Sequence, residues 1–235
     1  MLQYSKKGIG GIDLNCEGDF SARLPFWDRL TDDEKVLLCS NTRLTVYEKG
    51  ENVHGNRGEC TGALFVKSGA LRAYMLSDEG REITLYRLFT GDNCMLSANC
   101  VLSTITFDVF IDAEMRSEVY IINPTALKKL TRENMHVENF ALQTATERFS
   151  DVMWAMQQIL FMSFDRRLAV FLLDELAKDG GDTVKLTQEQ IAKYVGSARE
   201  VVSRMLKYFA AEKLVEVSRG GVKVLDKTGL KRIAG

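Results

Sequence analysis

Between Arg43 and about Ile122 the apolar positions come in short runs, LTVYEKG, ALFVKSG, LRAYML, REITLYRLF, VFIDAE and EVYIIN, rich in branched and aromatic residues. Alternation is clearest in ITLYRL, where Ile83 and Leu85 share one face, and Lys49-Gly50, Ser68-Gly69 and Asp78-Glu79-Gly80 supply turns. Such runs predict an antiparallel β-roll or barrel of about 80 residues. After Pro124 the period lengthens. From about Arg132 to Met162 the pattern predicts one long helix, with Phe149, Val152, Met156 and Ile159 recurring at three and four residues and Met153 and Leu160 beside them. A helix of that length between two domains needs a partner, so those four residues are the expected homodimer seam. Ser163 is placed to cap a following helix with Leu168, Phe171, Leu172 and Leu176 on its apolar face, ended by Lys178 to Asp182.

The stretch LTQEQIAKYVGSAREVVSRMLKYFAAEKL, Leu186 to Leu214, then reads as two short helices around a tight turn. Thr187 and Gln190 have the spacing of a capping box, Gly196 supplies the permissive backbone of the turn, and Ser197 with Glu200 repeats the box for the second helix. That helix carries Val201, Met205, Leu206 and Phe209 on an apolar face and Arg199, Glu200, Ser203, Arg204 and Lys207 on a polar one. Two helices alone fit an ordinary hairpin with a solvated charged face. The segment C-terminal to them favours nucleic acid: Leu214 to Val217 and Val222 to Leu225 read as a β-hairpin with Arg219 at its tip, completing a winged helix-turn-helix. From Thr187 to Gly235 there are 10 Lys plus Arg against 5 Asp plus Glu, net +5, whereas the rest of the chain carries 21 against 27, net −6. A basic module on an acidic body suits the phosphate backbone of DNA.

The order of strands, then helices, predicts an α+β chain: a partly ordered extension over residues 1–24, a roll over 25–130, a dimerisation helix over 131–163 and a winged helix-turn-helix over 164–235. Met1 to about Leu24 has no stable period and is expected to be loosely draped. Thr31, followed by Asp32, Asp33 and Glu34, caps the first expected helix. No sustained apolar segment opens the chain and no run approaches the roughly 20 apolar residues of a membrane span, so a cytoplasmic location without membrane contact is expected. Cys16, Cys39, Cys60, Cys94 and Cys100 form no CxxC pair, and reduced thiols are the expectation for such a compartment.

The order of these parts resembles the cyclic-AMP receptor protein/FNR (Crp/Fnr) superfamily of bacterial transcription regulators, over roughly Phe26 to Leu225. Phe65 to Asp92 is similar to the family's β-roll, the long helix to its dimerisation helix, and LTQEQIAKYVGSAREVVSRMLKYF to its DNA-binding motif. The resemblance implies a cyclic-nucleotide-binding-like roll of jelly-roll type. It also implies a homodimer that binds near-palindromic promoter sites in double-stranded DNA and contacts RNA polymerase under control of a small-molecule effector. The DNA-contacting set it implies is Thr187, Gln188, Ser197, Arg199, Glu200, Ser203, Arg204, Lys207 and Arg219. Within that set, Arg199 and Arg204 would read guanine and Glu200 cytosine.

The effector pocket departs from the cyclic-nucleotide members. Its candidates here are Cys94, Met95, Leu96, Cys100, Thr106, Phe107, Arg148, Val152 and Met153. Met95 and Leu96 stand where the resemblance places a glycine-glutamate pair, Thr106 and Phe107 near its arginine-serine clamp, and Val152 and Met153 at its adenine-contacting hydroxyls. A phosphate needs amides or a cation and a ribose needs polar partners, so cyclic AMP is not the expected ligand. The spacing of Cys94 and Cys100 is not a compact iron-sulfur motif. No metal ligands are assigned, and haem, metal or thiol redox sensing stand as alternatives to inert packing. Two rival functions are a cupin-like metal-binding enzyme and a ligand-binding adaptor for another protein. The first needs converging ligands, yet His54 and His136 are the only histidines.

Overall fold

Both faces of the strand that follows Gly62 are buried, which is why ALFV reads as an unbroken apolar run rather than an alternating one. In the computed structural model, which describes residues 16–55, 60–98 and 108–235, the N-terminal elements are α1 (Cys16–Ser21), α2 (Asp32–Ser40), β1 (Thr42–Tyr47), β2 (Asn52–His54), β3 (Ala63–Ser68), β4 (Ala70–Leu76), β5 (Glu82–Phe89), β6 (Asn93–Cys94), β7 (Phe110–Ala113) and β8 (Ser117–Ile122). They form two four-stranded sheets, ordered β1-β8-β3-β6 and β2-β7-β4-β5. The pairings are antiparallel, with Thr42 opposite Ile122 and Leu64 opposite Ile121. Leu64 and Val66 of β3 enter a core with Leu71, Ile111 and Val119, while Ala63 and Phe65 enter a second core with Tyr120 and Trp27. The six apolar runs of the sequence are β1, β3, β4, β5, β7 and β8. The two shortest strands, β2 and β6, carry too few residues to show a period.

The described part of the N-terminal extension is not loosely draped. Phe20 in α1 is fully buried, with its ring 5.2 Å from Tyr120 and 6.4 Å from Trp27. Burying such a side chain stabilises by roughly 1.5–3 kcal/mol. The Tyr120 hydroxyl donates to the Asp19 carboxylate, and burial together with that carboxylate pushes the phenol pKa far up. Thr31 caps α2 as expected, accepting from Glu34 N while the Glu34 carboxylate accepts from Thr31 N at 2.8 Å.

The long helix expected from about Arg132 to Met162 is α4 (Met135–Phe161), which starts three residues later, and a separate helix, α3 (Pro124–Glu133), precedes it. Asn134 breaks them with an extended ψ of 110°. Its side-chain amide donates to the Arg29 carbonyl and the Glu34 carboxylate at 3.1 Å, and its oxygen accepts from His136 N at 3.0 Å. Partners about 100 residues away hold the break, so no local breaker announces it.

The chain divides into two compact units. The first takes the chain up to Met75 with Leu85–Val152; the second takes Leu76–Thr84 with Met153–Gly235. The second unit contains α5 (Phe164–Asp179), β9 (Thr183–Val184), α6 (Gln188–Val195), α7 (Arg199–Ala211), β10 (Val215–Ser218), β11 (Gly221–Val224) and α8 (Lys227–Ala234). Its core joins Leu168, Leu172, Ile191, Val202, Leu206, Phe209 and Leu230. Neither β9 nor α8 is visible as a sequence pattern: β9 has two residues, and α8 starts from Asp226, whose carboxylate accepts from Gly229 N at 2.9 Å.

The expectation of reduced thiols fails at two positions. Cys39 and Cys60 are each in a disulfide, whereas Cys94 is a buried free thiol. Proximity in space sets pairing, and sequence spacing does not report it.

Candidate nucleic-acid interface

Thr187 opens α6 with a reciprocal cap: its hydroxyl accepts from Gln190 N at 3.2 Å, and the Gln190 side chain accepts from Thr187 N at 2.9 Å. Gly196 closes the helix in the left-handed conformation, φ +60° and ψ +47°, which a residue with a Cβ adopts only under strain. The second capping box is absent. Ala198, not Ser197, is the N-cap of α7 and makes no side-chain cap bond; the Ser197 amide instead donates to the Ala192 carbonyl at 2.9 Å and belongs to the turn. The buried face of α7 keeps the expected Leu206 and Phe209 and takes Val202 in place of Val201. Val202, Leu206 and Phe209 are buried, Met205 packs at the margin, and Val201 is half-exposed.

This packing leaves Arg199, Glu200, Arg204 and Lys207 exposed and Ser203 half-exposed along one side of α7. Among the described residues none forms an ion pair with Arg199, Arg204, Lys207 or Arg219. Four cationic side chains with no ion pair among the described residues are available to an external polyanion. The wing comes next in the chain. β10 and β11 pair antiparallel, Val215 opposite Val224, and β9 adds a third strand through Val184 and Val222. Gly221 permits this, since a Cβ there would lie 2.4 Å from the Val184 carbonyl oxygen. Arg219 lies in the exposed turn between β10 and β11.

Thr187 and Gln188 at the start of α6, Arg199 at the start of α7, and Ser218 and Arg219 of the wing line one cleft of about 500 Å³. Four members of the expected DNA-contacting set therefore converge there. Glu200, Ser203, Arg204 and Lys207 lie outside it, farther along α7, and Ser197 sits at the turn. Glu189, which no sequence signal singled out, also lines the cleft. A lone acidic residue in the first turn of a helix reads as a dipole partner and gives no further signal.

The other expected sites are dispersed. Cys94 and Leu96 are buried in one core of the roll and Met95 in the other. Arg148 is paired with Asp151 at 2.7 Å and lies over the Tyr86 ring at 5.3 Å. Cys100, Thr106 and Phe107 lie outside the described residues. His54 Nδ1 is 2.8 Å from the Thr61 hydroxyl, and His136 stands in the first turn of α4, so the two histidines do not share a site.

The seam on α4 also changes register. Val152 is 8% exposed and belongs to a core of the roll. Among the exposed apolar residues of α4, which also include Met135, Trp154 and Phe161, Leu142, Phe149, Met153, Met156 and Leu160 are separated by seven, four, three and four positions as in a coiled-coil stripe. Phe149 and Met156 keep their expected places, Met153 replaces Val152, and Ile159 is half-buried.

Residues 166–233 match the Crp-like helix-turn-helix domain. A solved structure of a Crp/Fnr-family protein from Eubacterium rectale is 44% identical, covers 91% of this chain and 99% of its own, and superposes with a TM-score of 0.87. The transcriptional activator protein FnrA of Stutzerimonas stutzeri is 26% identical over 196 residues, 80% of this chain and 79% of its own length. The cyclic AMP receptor protein of Thermus thermophilus is 25% identical over 220 residues, 89% of this chain and 96% of its own. With the roll, the winged helix-turn-helix and its unpaired basic face in place, the chain belongs to the Crp/Fnr family of DNA-binding transcription regulators.

Proposed function

We propose that this regulator binds near-palindromic promoter sites as a homodimer in the cytoplasm, inserts α7 into the major groove, and acts on RNA polymerase in response to an effector other than cyclic AMP. The observation that carries the reading is the exposed side of α7, where Arg199, Glu200 and Arg204 form no ion pairs among the described residues. Arginine makes bidentate contacts with guanine, and a carboxylate accepts from the cytosine amine. The α4 stripe of Phe149, Met153, Met156 and Leu160 supports the homodimer. Two subunits related by a twofold axis would read inverted half-sites about 10 base pairs apart. Burial of Met95 and Leu96 in apolar cores supports the exclusion of cyclic AMP, because neither offers a partner to a phosphate or a ribose. No helix among the described residues is long and apolar enough to cross a membrane.

Arg204→Ala tests the groove assignment. Binding selections should show relaxed preference at one symmetric pair of positions, at a cost of about 1–3 kcal/mol per lost bidentate contact. Unchanged base-by-base penalties would remove Arg204 from the reading set.

One sensing chemistry has a specific observation behind it. Cys39 and Cys60 are disulfide-bonded, and a disulfide in a cytoplasmic protein is most often a redox-responsive one. A thiol signal through these residues, rather than through Cys94, is the second reading. Cys94 has no exposed surface to meet an oxidant.

A further inference from the structure

The tip of the β4–β5 hairpin, Leu76–Thr84, belongs to the second unit, and four consecutive residues of it hold the end of α6. The Arg81 guanidinium donates to the Gly196 carbonyl. The Thr84 hydroxyl donates to the Lys193 carbonyl at 3.1 Å, and the Glu82 carboxylate pairs with the Lys193 ammonium at 2.8 Å. Ile83 and Ile159 close on the turn itself: a Cβ on Gly196 would lie 3.7 Å from the first and 3.4 Å from the second. The last carbonyls of a helix have no partner within it and are met by water or by a capping group. Here a distant segment of the chain supplies that cap, at the one joint that sets the angle between α6 and α7.

We propose that Arg81 to Thr84 form a latch that fixes the helix-turn-helix in its reading geometry, so that DNA affinity depends on residues that never touch DNA. The latched state leaves the reading side open, since Arg199, Glu200, Arg204 and Lys207 stay exposed while the turn is held. Ordering the turn beforehand removes that entropic cost from DNA association. Two features make the latch reversible. The Glu82–Lys193 pair is partly exposed, with side chains 17% and 42% accessible, so solvent screens it. Arg167 of α5 has Nε and Nη1 buried without hydrogen-bond partners among the described residues, and burial first, then the Arg81 cation, pushes its pKa down. Like charges held near each other raise the energy of the docked state. The latch strand also continues into the first unit, where Tyr86, two residues past Thr84, has its hydroxyl 3.4 Å from Cys94 Sγ. A shift along β5 at that point would reach the turn through the backbone.

Hydrogen exchange on the full chain without DNA gives the first test. The Gly196 and Ser197 amides both donate to the Ala192 carbonyl and report the turn. In Arg81→Gln/Thr84→Val their exchange should rise on the order of tenfold, with Leu206 and Phe209 in α7 unchanged as a control for folding. Glu82→Gln, the gentler variant, should give about a twofold rise at the same amides. The second readout rests on the DNA-reading proposal: the double variant should bind a matched site about fivefold more weakly with the same order of base preferences. Unchanged exchange at the turn in both variants overturns the latch. So does tighter DNA binding, which would mean that the contact restrains the reader instead of preparing it. If the wild type failed to discriminate DNA sequences, the DNA-reading proposal would fall, while the exchange result would still decide the latch.

Discussion

Replacing Met153 with glutamate separates the two registers available to the α4 seam. Met153 is 47% exposed and Val152 only 8%, so a partner helix can bury the first and has almost nothing left to bury of the second. Complete burial of a methionine side chain is worth roughly 1.5–3 kcal/mol. Half of that in each of two copies gives ~1.5–3 kcal/mol for the pair. Met153→Glu removes this contribution and brings two carboxylates toward an apolar contact, where incomplete desolvation adds at least ~2 kcal/mol more. The dimer should weaken by about 3 kcal/mol or more, over a hundredfold in its dissociation constant. Val152→Ala should act in the opposite manner, lowering the stability of the roll by about 1–3 kcal/mol while leaving association nearly unchanged. Sedimentation velocity across a concentration series reads association, and urea unfolding reads stability. A Met153→Glu protein that stays dimeric at wild-type concentrations, or a Val152→Ala protein that dissociates, would refute the stripe of Leu142, Phe149, Met153, Met156 and Leu160.

Burial holds the pKa of His54 below its ordinary 6.5, with Asp108 opposing the shift. A base whose folded pKa is depressed contributes its full stability above the unfolded value and loses it as pH falls through the folded one. The wild type should therefore lose urea resistance below about pH 6.5, and His54→Gln should show a shallower loss; parallel curves would exclude His54 as a source. Reductant should lower the stability of the N-terminal unit by about 2–4 kcal/mol per disulfide reduced, and Cys39→Ser should start from a value lowered by the loss of its own bond. If the thiols signal, DNA affinity should change with oxidation in the wild type and not in Cys39→Ser. The same response in both proteins would exclude Cys39.

The features legible in the chain are those whose cause is local. Six strands of the roll announce themselves because branched and aromatic residues bounded by turn residues lie within each segment. The α6 cap is visible because Thr187 and Gln190 satisfy each other across three residues, and Gly196 because a left-handed turn favours glycine. The basic face of α7 is legible for the same reason: charge on a helix is a periodic property of one segment. Sequence by itself therefore determined the α+β order, the winged helix-turn-helix and the polar, basic face of α7.

Tertiary structure decided what depends on distant partners. Val201 and Val202 are chemically alike, and only the packing of α7 against Leu168 and Ile191 turns the second one inward. Val152 and Met153 present the same ambiguity on α4, resolved when Val152 joins Leu71, Ile111 and Val119 in the roll. Asn134 ends a helix through contacts to Arg29 and Glu34, and α1 is ordered because Tyr120 and Trp27 receive Phe20. The cap on α6 comes from Arg81 and Thr84, more than 100 residues before it. Side-chain period specifies a face only to within one residue, and it carries no information about which remote group will meet that face. The three-dimensional fold supplies both.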